Sequence, residues 1–250
     1  MPRCWGHGTD QRLRKENQDT LGVFSFPEFT LAIVCDGMGG HAGGGQASTI
    51  GVASIQAHVS ANLDRPMDEV LGEAVQAANQ KIYETSMAYS RLTGMGTTIV
   101  AAVVYDEVTY LAHVGDSRIY LIRDGEAWQL TRDHTMVNLF VDAELISADE
   151  AARHPDAHVL ARSLGVESGV DVEVSEPIQL EPDDVLLFCS DGVHGVVSGE
   201  EMARMDWSEP HAQVRDVLGM VSARDGDDNA TLVAILIGES TEAIGTTEIP

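Results

Sequence analysis

Cysteine, aromatic residues and basic charge are all scarce in this 250-residue chain. Its three cysteines, Cys4, Cys35 and Cys189, have neither the even count of a disulfide framework nor the spacing of a metal-binding motif. Cys35 and Cys189 lie in apolar runs, so we expect them to pack as small hydrophobic side chains. No run of about eighteen consecutive apolar residues is present, which excludes a membrane-spanning helix, and the start lacks an apolar signal region. These absences predict a soluble, cytoplasmic protein.

The balance of charge is strongly acidic. Only 15 Lys and Arg residues stand against 40 Asp and Glu residues, which gives a formal net charge of −25 at pH 7. Such a surface repels phosphate backbones, so we expect neither nucleic acid nor anionic membranes as partners. An anionic substrate would therefore need local cations in order to bind. The hydrophobic content of 44% supports a full core in one large domain or two small ones, and we expect a monomer.

The most informative stretch is residues 31–48, LAIVCDGMGGHAGGGQAS. Its first five residues predict a buried strand, which ends at Asp36 and Gly37 because Asp is unfavourable in strands and Gly permits a turn. A carboxylate at the end of a buried strand is held rigidly, and the six glycines from 37 to 45 leave space around it. Such a position suits a hard divalent cation. The alternative is a strand, a glycine-rich loop and a helix without chemistry.

Other acidic residues recur where apolar strands meet turns. Asp191 follows the apolar run 185–189, and Asp228 lies in an acidic loop before the apolar run 230–237. Asp116 lies in a predicted strand-to-strand turn, where capping of the turn is the alternative role. If several of these carboxylates met, they would raise one another's pKa unless cations neutralised them. Two divalent ions could then share a water molecule and lower its pKa toward neutrality.

Residues 11–20, QRLRKENQDT, form an unusually polar segment near the start. Arg14 could grip a phosphate with its fork of donors. Asp19 could bind a metal ion or order its water. A solvated loop charge is the alternative interpretation of each.

Hydrophobic periodicity predicts successive antiparallel strands together with helices on their faces. The segment 132–165 is the least regular part, and it resembles an inserted flap with a capping box at residues 147–150. We interpret His134, His154 and His158, which lie in it, as surface or packing residues, since their spacing matches no zinc pattern. The predicted helices are 46–61, 66–89 and 210–223, and the predicted strands are 5–10, 31–35, 97–104, 108–114, 119–123, 127–130, 170–174, 185–189 and 230–237.

Seven stretches, in order and spanning almost the whole chain, together resemble the PPM-type, or 2C-type, metal-dependent protein serine/threonine phosphatases of bacteria. No single stretch is decisive, whereas the ordered set is highly specific. The seven are RKENQDT (14–20), VCDGMGGHAGG (34–44), MGTT (95–98), HVGDSRIYLIRDG (113–125), LTRDHT (130–135), SDGV (190–193) and DDNATLV (227–233).

The resemblance implies an α+β fold in four layers, α-β-β-α, with two central antiparallel sheets flanked by helix pairs. We expect one stand-alone phosphatase domain at residues 1–238, with a flap-like insertion at 132–165. Residues 239–250 are expected to form a polar tail.

The resemblance also implies a metal site. Asp36 would bridge two Mn²⁺ or Mg²⁺ ions, and the carbonyl of Gly37 would bind one of them. Asp191 and Asp228 would complete the other. The remaining two carboxylates have looser roles, since Asp19 would act mainly through metal-bound water and Asp116 would help to hold a third, weaker ion.

Catalysis is implied to depend on Arg14 and Asp36. Arg14 matches the arginine that binds the substrate phosphate, and a hydroxide that bridges the metals would attack phosphorus in line, without a phosphoenzyme. The expected substrates are phosphoserine and phosphothreonine proteins, so that the enzyme would oppose a bacterial Ser/Thr kinase.

Four positions depart from the family pattern. Met38 stands where animal enzymes carry a histidine proposed as general acid, which leaves a metal-bound water as the expected proton donor. Gly45 stands where Glu is usual. His194 and Gly195 replace more usual polar residues, and we expect these changes to affect the rim of the site.

Two other functions are compatible with parts of the pattern. A pseudophosphatase that only binds a partner would need a lost metal ligand, and none is lost. A calcium-stabilised adhesion or scaffold sandwich would explain the acidity but not Arg14.

Overall fold

Two antiparallel sheets form the centre of the fold in a computed structural model that describes residues 4–39, 43–151 and 153–238. Their apolar runs and tight turns produce thirteen strands in the described part. These are β1 (Cys4–Asp10), β2 (Thr20–Ser25), β3 (Thr30–Cys35), β4 (Gly37–Met38), β5 (Gly96–Thr97), β6 (Ile99–Val104), β7 (Val108–Val114), β8 (Arg118–Arg123), β9 (Glu126–Gln129), β10 (Glu173–Val174), β11 (Ile178–Gln179), β12 (Val185–Cys189) and β13 (Ala230–Leu236).

Along the described part of the chain, all the helices lie between strands. None of those in the described ranges combines the length and the apolar character needed to cross a membrane. They are α1 (Gly43–Ser60), α2 (Met67–Ala88), α3 (Met136–Asp142), α4 (Ala148–Ala151), α5 (Asp191–His194), α6 (Gly199–Ala203) and α7 (Pro210–Ala223), with a 3₁₀ turn at Ser90–Leu92.

One sheet has the strand order β1-β13-β12-β8-β9, and the other has the order β10-β7-β6-β3-β2, with β11 also paired to β7. All of these pairs are antiparallel. The first strand of the described part therefore pairs with the last one, and both lie in the same sheet. The β4–β5 pair stands apart from both sheets.

Three hydrophobic clusters show how the elements are layered. One joins α1 and α2 to the outer face of the sheet that contains β3, β6 and β7. A second joins α5, α6 and α7 to the outer face of the other sheet. The third contains residues from both sheets, so the sheets face each other across it. Strand β12 illustrates the consequence, because all five of its residues are buried, with Leu186 and Phe188 toward the other sheet and Leu187 toward the helices.

The predicted α+β fold with two central antiparallel sheets is confirmed. The helix pair α1 and α2 covers one face as predicted, whereas α7 and the short helices α5 and α6 cover the other. The predicted strand 170–174 is reduced to Glu173–Val174, because alternating valines do not ensure a pairing partner along their whole length. The predicted strand 97–104 is interrupted at Thr98, where the backbone turns toward Asp36. The predicted tail, residues 239–250, lies outside the described residues.

The flap-like segment contains α3 and α4 and returns to the body of the domain at two points. Isolated bridges pair Thr135 with Leu160 and Thr97 with Leu164. The predicted capping box is present, since the Ser147 N–H donates to Oε2 of Glu150 at 2.8 Å and the Glu150 N–H donates to the Ser147 hydroxyl at 3.3 Å. Its status as a movable insertion stays a prediction.

The core between the sheets predicts a large stability difference between two chemically identical substitutions. Leu186→Ala should lower the free energy of unfolding by about 2–5 kcal/mol, because it removes a fully buried side chain and leaves a cavity. Leu145→Ala should change it by no more than about 0.5 kcal/mol, because Leu145 is 70% exposed. Urea denaturation measures both, and equal losses would contradict the layered core.

Candidate active site

A cavity of about 740 Å³ opens at the ends of β3, β12 and β13. Four aspartates from distant parts of the chain line it, at Asp36, Asp116, Asp191 and Asp228, together with Arg14. Gly37 and Met38 also line it, as do His158 and Leu160 from the flap-like segment. The structure therefore brings together all the predicted site residues except Asp19, which does not line the cavity but is buried and hydrogen-bonded to Ser190, the residue before Asp191.

Asp36 is fixed through its backbone. Its N–H donates to the hydroxyl of Thr98 at 3.0 Å, and its carbonyl accepts from the Thr98 N–H and the Thr97 hydroxyl, both at 2.8 Å. Both threonines are buried. These bonds hold the residue at the end of β3 while its side chain faces the cavity, as the strand-then-Asp-Gly pattern predicted.

Gly37 is required by close packing. A Cβ atom at this position would lie 2.3 Å from the carbonyl oxygen of Gly44 and 2.5 Å from that of Gln18. Its N–H donates to the same Gln18 carbonyl at 3.2 Å. The backbone of Gly37 can therefore lie against both the loop before β2 and the start of α1, which no larger residue could do.

Asp19 and Asp191 are connected through Ser190. The buried Ser190 hydroxyl donates to Oδ2 of Asp19 at 2.8 Å and accepts from the Thr231 N–H at 3.0 Å. The Oδ1 atoms of Asp19 and Asp191 are buried, and neither has a hydrogen-bond partner among the described residues. Burying two carboxylate oxygens without hydrogen-bond donors costs free energy unless a positive group faces them.

Asp116 lies in the turn between β7 and β8, and its carbonyl accepts a hydrogen bond from Nε2 of His194 at 3.0 Å. Burial, together with the nearby charge of Arg118, lowers the pKa of His194 to about 4, so this ring is neutral near pH 7. The expectation that His194 affects only the rim of the site therefore left out a second role, since its ring supports the backbone of Asp116.

Arg14 reaches the cavity from the loop between β1 and β2. Its Nη2 lies 2.5 Å from Oδ2 of Asp228, and its side chain is 54% exposed. The guanidinium thus faces both a carboxylate and open solvent. Such an arrangement leaves donors free to contact an anion in the cavity.

Asn229 holds the loop that carries Arg14, a role that the sequence did not indicate. Its amide nitrogen donates to the carbonyls of Gln11 and Glu16 at 2.9 and 3.1 Å, and its Oδ1 accepts from the Gln18 N–H at 2.9 Å. The available signal was an amide residue beside Asp228 at the start of a buried strand, but its partners lie more than 200 residues away.

The histidines of the flap-like segment differ in their surroundings. His154 contacts the ring of Phe140, in agreement with the packing role expected from the sequence. His158 is exposed but borders the cavity. His134 is buried and stacks on His113.

The carboxylates raise one another's pKa. Burial raises the pKa of Asp36 well above its ordinary value, and the charges of Asp19 and Asp191 raise it further. Burial raises the pKa of Asp116 to about 7, with a further contribution from Asp191. Burial also raises the pKa of Asp19 to about 6, although hydrogen bonds from neighbouring hydroxyls oppose the rise. A site with this electrostatic character attracts cations.

Residues 11–236 match the family described as "Protein phosphatase 2C". The chain belongs to this family. It is similar to the serine/threonine phosphatase stp of Listeria monocytogenes serotype 4b (strain F2365), with 34% identity over 231 residues, which is 90% of this chain and 91% of that protein.

Solved structures of phosphatases in this family share the fold. That of the Mycobacterium tuberculosis serine/threonine phosphatase PstP/Ppp is 30% identical, with a TM-score of 0.85 over 95% of this chain and 99% of that one. The catalytic domain of PstP in complex with two manganese ions is 31% identical, with a TM-score of 0.78 and the same coverage. The predicted resemblance is therefore confirmed, and with it the prediction of a protein phosphatase. The assignment of individual residues as metal ligands stays a prediction.

The raised pKa of Asp116 predicts a pH-dependent stability difference in the metal-free phosphatase. The folded state retains this proton up to about pH 7, whereas the unfolded chain loses it near pH 4. The stability that the protonated group provides is therefore lost progressively as the pH rises between these values. Asp116→Asn should consequently raise the thermal midpoint, relative to the original chain, more at about pH 8 than at about pH 5, measured in the presence of a chelator.

Asp216→Asn is the matched control, because Asp216 is exposed on α7. Its effect on the midpoint should be the same at both pH values. An Asp116→Asn effect that did not grow with pH would show that the carboxyl is not destabilised by its surroundings.

Proposed function

We propose that this phosphatase hydrolyses phosphoserine and phosphothreonine in proteins and that it depends on Mn²⁺ or Mg²⁺. One observation carries the proposal, namely that aspartates from four separate segments line one cavity beside an exposed arginine. The relatives named serine/threonine phosphatases support the substrate class. Membership of a family that uses metal ions, and a relative in complex with two manganese ions, support the metal dependence.

The residues present fit hard divalent cations. The donor set is made of carboxylate and carbonyl oxygens, which Mg²⁺ and Mn²⁺ prefer. The buried Oδ1 atoms of Asp19 and Asp191, which have no partner within the described ranges, are oriented acceptors that a cation could satisfy. Burial and the charges of neighbouring carboxylates raise the pKa of Asp36 and Asp191, and a bound cation would oppose both effects.

We assign the ligands in the way the sequence predicted. Two ions would be held by Asp36, the Gly37 carbonyl, Asp191 and Asp228. Asp19 would act mainly through ordered water, and a third, weaker ion would involve Asp116. Bound divalent ions would supply a water molecule of lowered pKa and would neutralise charge on the phosphoryl group.

Arg14 is positioned to bind the phosphoryl oxygens. Its planar guanidinium presents several donors, and more than half of the side chain is exposed at the cavity. Met38 lines the same cavity, and its thioether can neither give nor take a proton. The backbone bonds of Asp36 keep its carboxylate in place without rearrangement, which is the requirement for electrostatic preorganisation.

The partner class follows from the reaction. A phosphoserine or phosphothreonine hydrolase requires a Ser/Thr kinase to form its substrate, so we propose that the two enzymes act on the same phosphoproteins. The monomeric state and the cytoplasmic location stay predictions from the sequence.

Substitution of the central carboxylate tests this function. The original chain should hydrolyse p-nitrophenyl phosphate and a phosphothreonine peptide with Mn²⁺ and lose this activity in chelator. Asp36→Asn should lower the rate at least about a hundredfold, because loss of even an outer partner of a metal ligand commonly costs about 10- to 100-fold. Steady-state assays over a range of Mn²⁺ concentrations measure the effect.

The control for this substitution is again Asp216→Asn, which should retain full activity. Well-folded protein that bound Mn²⁺ without turnover would favour the pseudophosphatase. Stabilisation by Ca²⁺ without turnover would favour the scaffold interpretation.

Arg14→Ala separates substrate binding from metal binding. It should raise KM roughly 10- to 100-fold, because a hydrogen bond to a charged group contributes about 1.5–3 kcal/mol. Mn²⁺ affinity measured by calorimetry should be unchanged or slightly tighter, since Asp228 loses a competing cation. Loss of metal uptake in this variant would show that the assigned role of Arg14 is wrong.

A further inference from the structure

A second cluster of titratable side chains, formed by His113, His134 and Glu173, lies outside the cavity lining. Among the described residues it is the one group of three or more His, Cys, Asp or Glu side chains whose ligand atoms all lie within 4.8 Å of one another. Glu173 in β10 stands opposite His113 in β7. Its Oε2 lies 3.5 Å from Nε2 of His113, and its Oε1 lies 3.1 Å from Nε2 of His134.

The hydrogen bonds of the two rings argue against a metal at this cluster. Nε2 of His113 lies 3.0 Å from the carbonyl of Arg132, which can only accept, so this nitrogen carries a proton. Nδ1 of His134 accepts from the Gly115 N–H at 3.1 Å, so the proton of the neutral ring is on Nε2. Both nitrogens that face Glu173 are therefore donors, whereas a metal requires their lone pairs.

His134 forms hydrogen bonds with both backbone groups of Gly115, the residue before Asp116. Besides the bond to Nδ1, the backbone N–H of His134 donates to the Gly115 carbonyl at 2.9 Å. Gly115 has a φ of +109°, and a Cβ on it would lie 2.7 Å from Cβ of Thr98. The conformation of this turn is thus fixed by His134 on one side and by packing on the other, and the next residue is Asp116.

The same histidine also holds the return of the flap-like segment. Its carbonyl accepts from the Ala161 N–H at 2.8 Å, next to the bridge between Thr135 and Leu160. Leu160 lines the active-site cavity. His158 and Leu160, the residues of the flap-like segment that line the cavity, are here called the flap wall. The side chain and backbone of His134 thus connect the Asp116 turn with the flap wall.

We propose that Glu173 and His134 form a positioning pair that sets the Asp116 turn and the flap wall relative to each other. The ring of His134 is 6% exposed, and its Nε2 has no well-aligned hydrogen bond among the described residues. A carboxylate oxygen of Glu173, 3.1 Å away, is therefore the acceptor that faces this proton and favours the tautomer in which Nδ1 accepts. The ring of His113, stacked at 4.7 Å and 18°, keeps the plane of His134 in place. This proposal rests on the proposed function only for its effect on metal-dependent turnover.

Arg162 adds a neighbouring positive charge. Its Nη1 lies 3.8 Å from Oε1 of Glu173 and 3.2 Å from Oδ2 of Asp171. Arg162 thus has a second carboxylate partner, and a substitution of Glu173 does not remove all the compensation for its charge.

The test compares Glu173→Ala with Glu173→Gln, which retains an acceptor oxygen, and with Glu176→Ala as an exposed control on the same segment. Glu173 is 48% exposed, so these variants should fold. In Glu173→Ala, ¹⁵N NMR of His134 should show loss of the single Nε2–H tautomer. The Mg²⁺ concentration for half-maximal turnover should rise about tenfold, as for other outer partners of metal ligands. Calorimetry should show weaker binding of the third Mg²⁺ ion, the one proposed to involve Asp116, and unchanged binding of the other two.

Glu173→Gln and Glu176→Ala should match the original chain in all three measurements. An unchanged His134 tautomer in Glu173→Ala would overturn the proposal, as would a Glu173→Gln variant as impaired as Glu173→Ala. If the original chain has no phosphatase activity, the proposed function fails, while the NMR and calorimetry still decide whether the positioning pair exists.

Discussion

The repulsion among carboxylates held at the ends of buried strands is the constraint on which the site depends. Asp36 and Asp191 cannot both ionise at low cost where burial and neighbouring negative charge raise their pKa. The fold maintains this arrangement because each residue continues a strand whose side chains are fully buried. Backbone bonds from Thr97 and Thr98 add to this rigidity. The free-energy cost of ionising these carboxylates is offset only when positive charge enters the cavity.

Both sheets contribute charges to the cavity at the ends of their strands. Asp36 ends a strand of one sheet, whereas Asp191 follows a strand of the other, and Asp228 precedes the adjacent strand. Asp116 lies in the turn that passes from the first sheet to the second. The hydrophobic cluster between the sheets thus fixes the distance between carboxylates that are far apart along the chain. Stability of that cluster and affinity of the site are consequently linked.

The sequence predicted those parts of the site that local pattern determines. An apolar run followed by Asp-Gly identifies both strand and carboxylate, so Asp36 and Asp191 were found without tertiary information. Asn229 was missed because its partners lie more than 200 residues away, and a single amide gives no periodic signal. His194 was assigned to the rim for the same reason, since its acceptor is a backbone carbonyl 78 residues earlier. Side-chain bonds to distant backbone are the class of interaction that sequence pattern does not encode.

The contact between Arg14 and Asp228 connects substrate binding with metal binding. With a net charge of −25, the chain offers little positive potential to a phosphorylated protein. In the structure the guanidinium contacts Asp228, and this bond competes with any phosphoryl group for the same donors. Positive charge that compensates Asp228 by another route would free Arg14 for substrate. Metal binding and phosphate binding should therefore strengthen each other, because a metal ion that compensates Asp228 releases Arg14 to contact the phosphate.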